Sequence, residues 1–433
     1  MSLQPVKKLE VWRTLSKGQK VLVGILAQNR QGVFFQYDAT YLEHYTNLSP
    51  FSLQHDRSLQ KAPRTPHNHL HGVFADSLPD GWGLLLQDRV FRRYGMTPGQ
   101  ITAMDRLAFV GHSGMGALSY HPASEYADPV TGWPDIHRLG LEAQALFDGQ
   151  TEQVFSALIA AGSSGGARPK AQVFFRGDDF SQCQTGLHEQ DSAWLVKFTS
   201  QRLALGHEEG ICEAVYLTLA AKAGIEVPTW RLLDAPGSSG ADYWLALKRF
   251  DWQQGQGHPA QHGRLHMHSA CGLLDADFQS PSLDYEDLIK ASRVLCRSAL
   301  AGKVQFRRAI FNLLACNQDD HSKNWAFLQN DDGQWTVAPF YDVTFSPHPF
   351  GEHATAFSGY GKQPPLKAMK NLAQAAGFAN WSEARVVIER VQEAVSTFRE
   401  EALLLGVKKD TVRLIEKQLN ATWMASREAL LGD

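Results

Sequence analysis

The chain has few of the residues that would staple it or hold it in a membrane. Its five cysteines, Cys183, Cys212, Cys271, Cys296 and Cys316, are odd in number, scattered and never spaced C-x-x-C. That pattern argues against a disulfide framework and a thiolate zinc site, and reads as reduced, mostly buried thiols. Long apolar runs are also missing. Near the start only Val21–Ala27 is continuously apolar, too short and too late for a secretory core or a membrane span, so a cytoplasmic protein without membrane contact is expected. Neither sign of charge dominates: 42 basic and 45 acidic side chains leave a net charge of -3. A phosphate backbone is therefore not attracted globally, and DNA contact would need a local basic patch or a DNA-binding partner. Internal repeats and low-complexity tracts are absent.

What is present is an ordinary globular composition, 43% hydrophobic and 20% charged, over 433 residues. A single core stops growing at roughly 250–300 residues, so two or three lobes are expected. The apolar runs of Lys20–Tyr37, joined by Gln28–Gly32, predict a β-hairpin. Pro79, Asp80 and Gly81 mark a turn, with an amphipathic helix beginning near Leu84. A polar, proline-bearing stretch places a soft boundary near residues 125–150. Beyond it a helix ends near Ala161 and the chain breaks at "GSSGGARPK". Strands follow at "AQVFFRG" and "AWLVKFTS", then a helix closing at Gly224 and another strand in "ADYWLALKRFDW". From Asp284 the period turns helical, and from Leu366 onward it stays so. The expected units are 1–125, 126–250 and 251–433, an α+β chain whose β-rich half precedes an α-rich half.

"NLLACNQDDHSKNWAFLQ" places Asp319 and Asn324 just after an apolar helix, and "VAPFYDVTF" presents Asp342 further on. Phosphoryl transfer asks a protein for a carboxylate to orient the attacking hydroxyl, and for an amide and a second carboxylate to hold Mg²⁺ on the phosphates. Asp319, Asn324 and Asp342 supply those groups in that order, and the Asp-to-Asn offset equals that of the kinase loop H-R-D-x-x-x-x-N. Taken alone, D-D-H-S-K-N reads first as a capping turn. Upstream, Gly162, Gly165 and Gly166 precede a strand, where bare backbone N–H groups can approach phosphate, although the stretch is neither a Walker A nor a G-x-G-x-x-G motif. Lys197, between Val196 and Phe198 in a strand, needs an anion if buried. ATP phosphates and Glu213 on the following helix would serve, while an edge-strand lysine reaching solvent is the plain alternative. Lys248, Arg249 and Phe250 offer an extended segment and a ring for adenine. His67, His69 and His71 would share a face in a strand and could then bind metal, but they lie between a proline and a glycine with no adjacent carboxylate. A solvated or otherwise satisfied set is the stronger reading, for them and for His266 and His268.

The stretches "DSLPDGWG", "GARPKAQV", "LVKF", "CEAVYLTLAAKAGIEVP", "LKRFD", "NQDDHSKN" and "PFYDV" together resemble the HipA-type serine/threonine kinases of bacterial type II toxin–antitoxin modules. The resemblance runs from about Gly24 to Phe345. It implies a bilobal protein-kinase-like fold, with a β-rich or mixed N-terminal lobe and a mostly helical C-terminal lobe. It implies Asp319 as catalytic base, Asn324 and Asp342 as Mg²⁺ ligands and Lys197 on the ATP phosphates. Gly165, Gly166, Ala167, Arg168, Pro169 and Lys170, then Lys248, Arg249 and Phe250, and His321, Ser322, Lys323, Asn324, Tyr341 and Asp342 would line the nucleotide site. Ser163 matches the family's autophosphorylated serine, with Ser164 beside it as the alternative; a phosphate there would repel ATP. A HipB-like helix-turn-helix antitoxin, operator DNA reached through it, and a substrate in the translation machinery, often an aminoacyl-tRNA synthetase, are implied only by resemblance. A catalytically silent corepressor is the competing class. Asp320 departs from relatives that carry glycine there, and its role is open.

Overall fold

In the computed structural model of the protein, residues 5–127, 135–153, 156–160, 165–177, 179–184, 191–253, 262–280 and 282–432 are described. The N-terminal unit is a five-stranded antiparallel sheet in the order Gln60–Lys61, Gly32–Tyr37, Lys20–Asn29, Lys8–Thr14, Leu118–His121. The hairpin legible at Lys20–Tyr37 is its centre. The strand Lys8–Thr14 buries Leu9, Val11 and Arg13 on one face, the period-two pattern of a half-buried strand.

The second sheet is also antiparallel, ordered Asp179–Gln184, Lys170–Arg176, Asp191–Lys197, Tyr243–Lys248, Trp230–Asp234. Its core gathers Val173, Phe175, Val196 and Trp244 together with Trp82 and Leu86, which come from the helix Gly81–Arg93. That helix, read from sequence as part of the first unit, thus packs into the core of the second. On the other side lies the helix Glu209–Lys222, buried almost all round because it sits between this sheet and a helical lobe. Ala299–Leu314, Leu366–Ala376, Trp381–Ser396 and Lys409–Leu431 are helices of that lobe, and one continuous apolar cluster joins them to Glu209–Lys222. A small sheet, His266–Ser269, Ala326–Gln329 and Trp335–Val337, flanks the loop around Asp319.

The N-terminal unit is bound to this small sheet by polar contacts. Arg13, fully buried, donates to the Gln329 side chain at 3.1 Å and to the Asn330 carbonyl at 2.9 Å. Asp76 Oδ2 lies 2.6 Å from His268 Nδ1, whose Nε2 lies 2.9 Å from Ser49 Oγ. This is the order of a hydrolase triad, yet Ser49 and His268 have no exposure, so no substrate reaches the hydroxyl and the three form a strut between units. His266 is buried as well, with Nε2 3.0 Å from the Leu48 carbonyl and Nδ1 without a hydrogen-bond partner among the described residues. The run His67–His71 is no strand: Asn68 and His69 take positive φ. His67 turns toward Asp275 at 3.4 Å, while His71 packs against Phe35 and Phe74. Among the described residues no group of three or more His, Cys, Asp or Glu side chains could hold a metal ion, and no helix is long and apolar enough to cross a membrane. None of the five cysteines is in a disulfide, and of the five only Cys296 is not buried.

Candidate active site

A cleft opens where the second sheet meets the helical lobe. Lys170, Leu195, Lys197, Leu247 and Phe250 line it from the sheet side, Asn324, Tyr341 and Asp342 from the opposite side, and Val73, Leu78, Met115 and Leu118 from the N-terminal unit. Lys197 ends the strand Asp191–Lys197 and its side chain is only 7% exposed. A cation so buried requires anions. Its Nζ lies 2.7 and 2.8 Å from the two Glu213 oxygens and 2.7 Å from Asp342 Oδ1. Burial opposes its charge, but Asp342 and Glu213 outweigh burial and hold its pKa above that of an ordinary lysine. Asp342 adopts φ +56°, a left-handed conformation that aspartate tolerates better than most residues. Burial works against its ionisation, and Lys197, Lys170 and Arg168 overcome that to hold the carboxyl far below the carboxylate range.

Asp319 and its neighbours sit on the extended stretch after the helix Ala299–Leu314, which closes in a 3₁₀ turn at Ser322–Asn324. Asp319 is 58% exposed at its side chain, with His321 Nε2 3.7 Å away. Asn324 Nδ2 donates to the Asp319 carbonyl at 2.8 Å. Asp320 points the opposite way, into the protein, and is 1% exposed. Its carboxylate accepts from Tyr285 Oη at 2.6 Å, His353 Nδ1 at 2.8 Å and Thr355 N at 3.1 Å. Its carbonyl accepts from Trp325 Nε1 at 3.0 Å and from the Thr355 hydroxyl. A buried carboxylate left unpaired costs several kcal/mol, so five donors make Asp320 the anchor that holds Asp319 outward. Alternating orientation along an extended backbone explains why adjacent acids do different work.

Gly165 and Gly166 lie at the cleft, while Gly162, Ser163 and Ser164 fall outside the described residues. Lys170 Nζ donates to the Gly165 carbonyl at 2.6 Å, and burial pushes its pKa down to about 8. Ala167 and Arg168 face a second cleft shared with Asp319, and Arg168 pairs with Glu209 at 3.3 Å. Asp80, Gly166, Lys170, His321, Lys323 and Asp342 line both clefts, which therefore join there. Pro169 and Ser322 are buried and line neither cleft. Lys248 and Arg249 donate their N–H groups inward, to Thr229 at 2.8 Å and Ala193 at 2.9 Å. The Arg249 guanidinium is held by Asp251, Gln172 and the Gly114 carbonyl, so that side chain serves the frame. Phe250 and Tyr341 stand with ring centroids 5.7 Å apart, and Tyr341 Oη donates to the Lys323 carbonyl at 2.7 Å.

Two acids had no place in the sequence reading of the site. Asp80 pairs with Lys323 at 2.7 Å, and Asp76 lines the cleft floor. The turn signal at Pro79–Gly81 marked the first region; nothing local marked the apolar lining of Val73, Leu78, Met115 and Leu118, which the N-terminal unit supplies.

A model of the HipA-like C-terminal domain matches residues 162–398, more than half of the chain. The chain belongs to the HipA-like family. A model of the HipA N-terminal domain matches residues 17–121 of this HipA-family chain. A serine/threonine-protein kinase toxin HipA of Shewanella oneidensis is 23% identical over 300 residues, 64% of this chain and 63% of that one. A Haemophilus influenzae relative is 25% identical over 193 residues, 43% of this chain and 54% of that one. The HipA-family chain thus spans between about half and two thirds of the length of these curated relatives. Its fold matches that of HipA in a complex of Shewanella oneidensis HipA, HipB and operator DNA, with a TM-score of 0.71 at 18% identity, over 98% of this chain and 97% of the other. The architecture is the bilobal kinase-like fold of that family.

Proposed function

We propose that the chain is an ATP- and Mg²⁺-dependent serine/threonine protein kinase and the toxin of a toxin–antitoxin pair. The observation that carries this reading is Lys197, held between Glu213 and Asp342 at the back of a cleft whose phosphate end adjoins the exposed Asp319. Lys197 would neutralise charge on the ATP phosphates, with Glu213 keeping its ammonium in place. Asp319 would accept the proton of an incoming hydroxyl and aim it at the γ-phosphate. Adenine would lie between Phe250, Tyr341 and the apolar lining.

The oxygen donors fit a hard cation that keeps several waters. Among the described residues, neither Asn324 Oδ1 nor the second Asp342 oxygen accepts a hydrogen bond, so both are available. Asn324 and Asp342 would hold Mg²⁺, which would offset charge on the β- and γ-phosphates. A glycine-loop serine, Ser163 or Ser164, is the proposed autophosphorylation site. A helix-turn-helix antitoxin, operator DNA through that antitoxin, and a substrate in the translation machinery complete the proposal; these rest on family membership and on the HipA–HipB–DNA relative.

Incubation with γ-labelled ATP and Mg²⁺, with the wild type and Asp319→Asn side by side, tests the reading. Label on the wild type or on a translation protein, reduced at least about a hundredfold in the variant, is the expected outcome. Asp319 is exposed and unburdened by packing, so the variant should melt with the wild type, within about 0.5 kcal/mol. Equal labelling of both proteins would remove Asp319 from the mechanism, and no labelling of either would leave a binding protein.

A further inference from the structure

The turn Asp80–Trp82 touches the glycine-rich loop at more points than packing requires. Asp80 Oδ1 accepts from the Gly166 N–H, and Asp80 Oδ2 accepts from Lys323 Nζ at 2.7 Å. Trp82 N donates to the Gly166 carbonyl at 3.0 Å, and the Trp82 indole donates to the Lys170 carbonyl at 2.8 Å. Gly81, at φ +40°, lies so close that a Cβ there would meet Ala167 Cα at 2.6 Å and the Gly166 carbonyl oxygen at 2.7 Å. The Asp80 backbone is thereby fixed, and its carboxylate is a rigid fork between two elements otherwise separate in the fold. One prong holds the loop that precedes the strand Lys170–Arg176, and the other holds the 3₁₀ turn carrying Lys323 and Asn324. Both elements border the place where the two clefts join.

We infer that Asp80 is a positioning residue for phosphoryl transfer: it sets the distance between the glycine-rich loop and Lys323 across the reaction centre. The inference rests on the kinase reading above. Asp80 does not touch the reacting atoms; it acts through Lys323 and the Gly166 amide. Holding both in place before ATP arrives lowers the reorganisation needed in the transition state more than it affects ground-state binding. Replacement by asparagine keeps an acceptor for Gly166 and removes the ion pair with Lys323, so the loss should fall on the rate.

Asp80→Asn is therefore expected to lower kcat about tenfold while the ATP dissociation constant, measured by calorimetry, shifts less than about threefold. In a Lys323→Met background the same substitution should cost less than about twofold in single-turnover rate, because the group it acts through is gone. A purely structural role would give equal losses in both backgrounds. Trp82→Phe, which keeps the fork and removes only the indole hydrogen bond, gives a second measure and should lower kcat in the same sense by less. An active wild type with an unchanged Asp80→Asn rate, or with losses that add across the two backgrounds, overturns the inference alone. A wild type that labels neither itself nor any protein overturns the kinase reading and takes this inference with it.

Discussion

Lys170, unlike Lys197 and Arg168, is a site cation whose pKa is pushed down toward neutral pH. In the folded, ligand-free protein burial brings its pKa down to about 8, against about 10.4 in an unfolded chain. Phosphate binds the charged form, so its affinity is full below that value and falls as pH rises through it. Calorimetric titration of ATP should show the dissociation constant rising between about pH 7.5 and 9, approaching tenfold per unit at the upper end. In Lys170→Gln the profile should flatten over the same range; a flat wild-type profile would contradict the assignment. The effect on stability has the opposite sign. Between about 8 and 10.4 the unfolded chain holds more protons at this position than the folded one, so the lysine's contribution to stability rises with pH. Loss of binding in alkali is thus separable from loss of fold. At the same scale Asp319 and Asp320 show how sequence alone falls short: both were legible as acids in a turn, but their division of labour depended on Tyr285, His353 and Thr355, remote in sequence.

At the scale of elements, the periodicities located most of what carries the site. The strand bearing Lys197, the helix bearing Glu213 and the helix before Asp319 follow from apolar spacing and from glycine at a helix end. Less legible was the close approach of two short helices, Gly72–Ala75 and Ala270–Leu273. A Cβ at Gly72 would sit 1.9 Å from the Gly272 carbonyl oxygen, a clash with backbone that no rotamer relieves. Gly72→Ala should destabilise by about 1–3 kcal/mol, read as a lower denaturant midpoint. Gly99, where an added methyl would meet nothing within 4 Å, supplies the contrast: Gly99→Ala should lie within about 1 kcal/mol of the wild type. Equal effects at both positions would show that the helices can separate freely.

Across the whole molecule, the N-terminal unit reads as part of the body that forms the cleft. It lines one side of the cleft that holds Lys197 and is tied to the small sheet by Arg13, Asp76 and Ser49. Truncating Arg13 leaves the Gln329 side-chain oxygen without a donor and takes one of two donors from the Asn330 carbonyl. Arg13→Met should cost about 1–3 kcal/mol and loosen the first unit before the rest. Thermal unfolding followed by two probes, one in each unit, should give coincident transitions for the wild type and an earlier first-unit transition for the variant. Coincident, unshifted transitions in the variant would show that the units stay joined without Arg13.

Composition and order in the chain determined the class of the protein. A β-rich half before an α-rich half, a glycine-rich break, a strand lysine, a helix glutamate, D-x-x-x-x-N and a late aspartate are local or ordered features, and short-range physics suffices to place them. The tertiary structure decided which groups meet. It put Asp342 on the same ammonium as Glu213, gave Asp320 four of its five donors from distant segments, and sent Arg249 into the frame. It also brought Asp80 from the first unit onto the loop of the second. Burial is the reason: how many anions Lys197 needs, or whether an aspartate faces water, depends on which surfaces close over it, and those surfaces come from residues far apart in the chain.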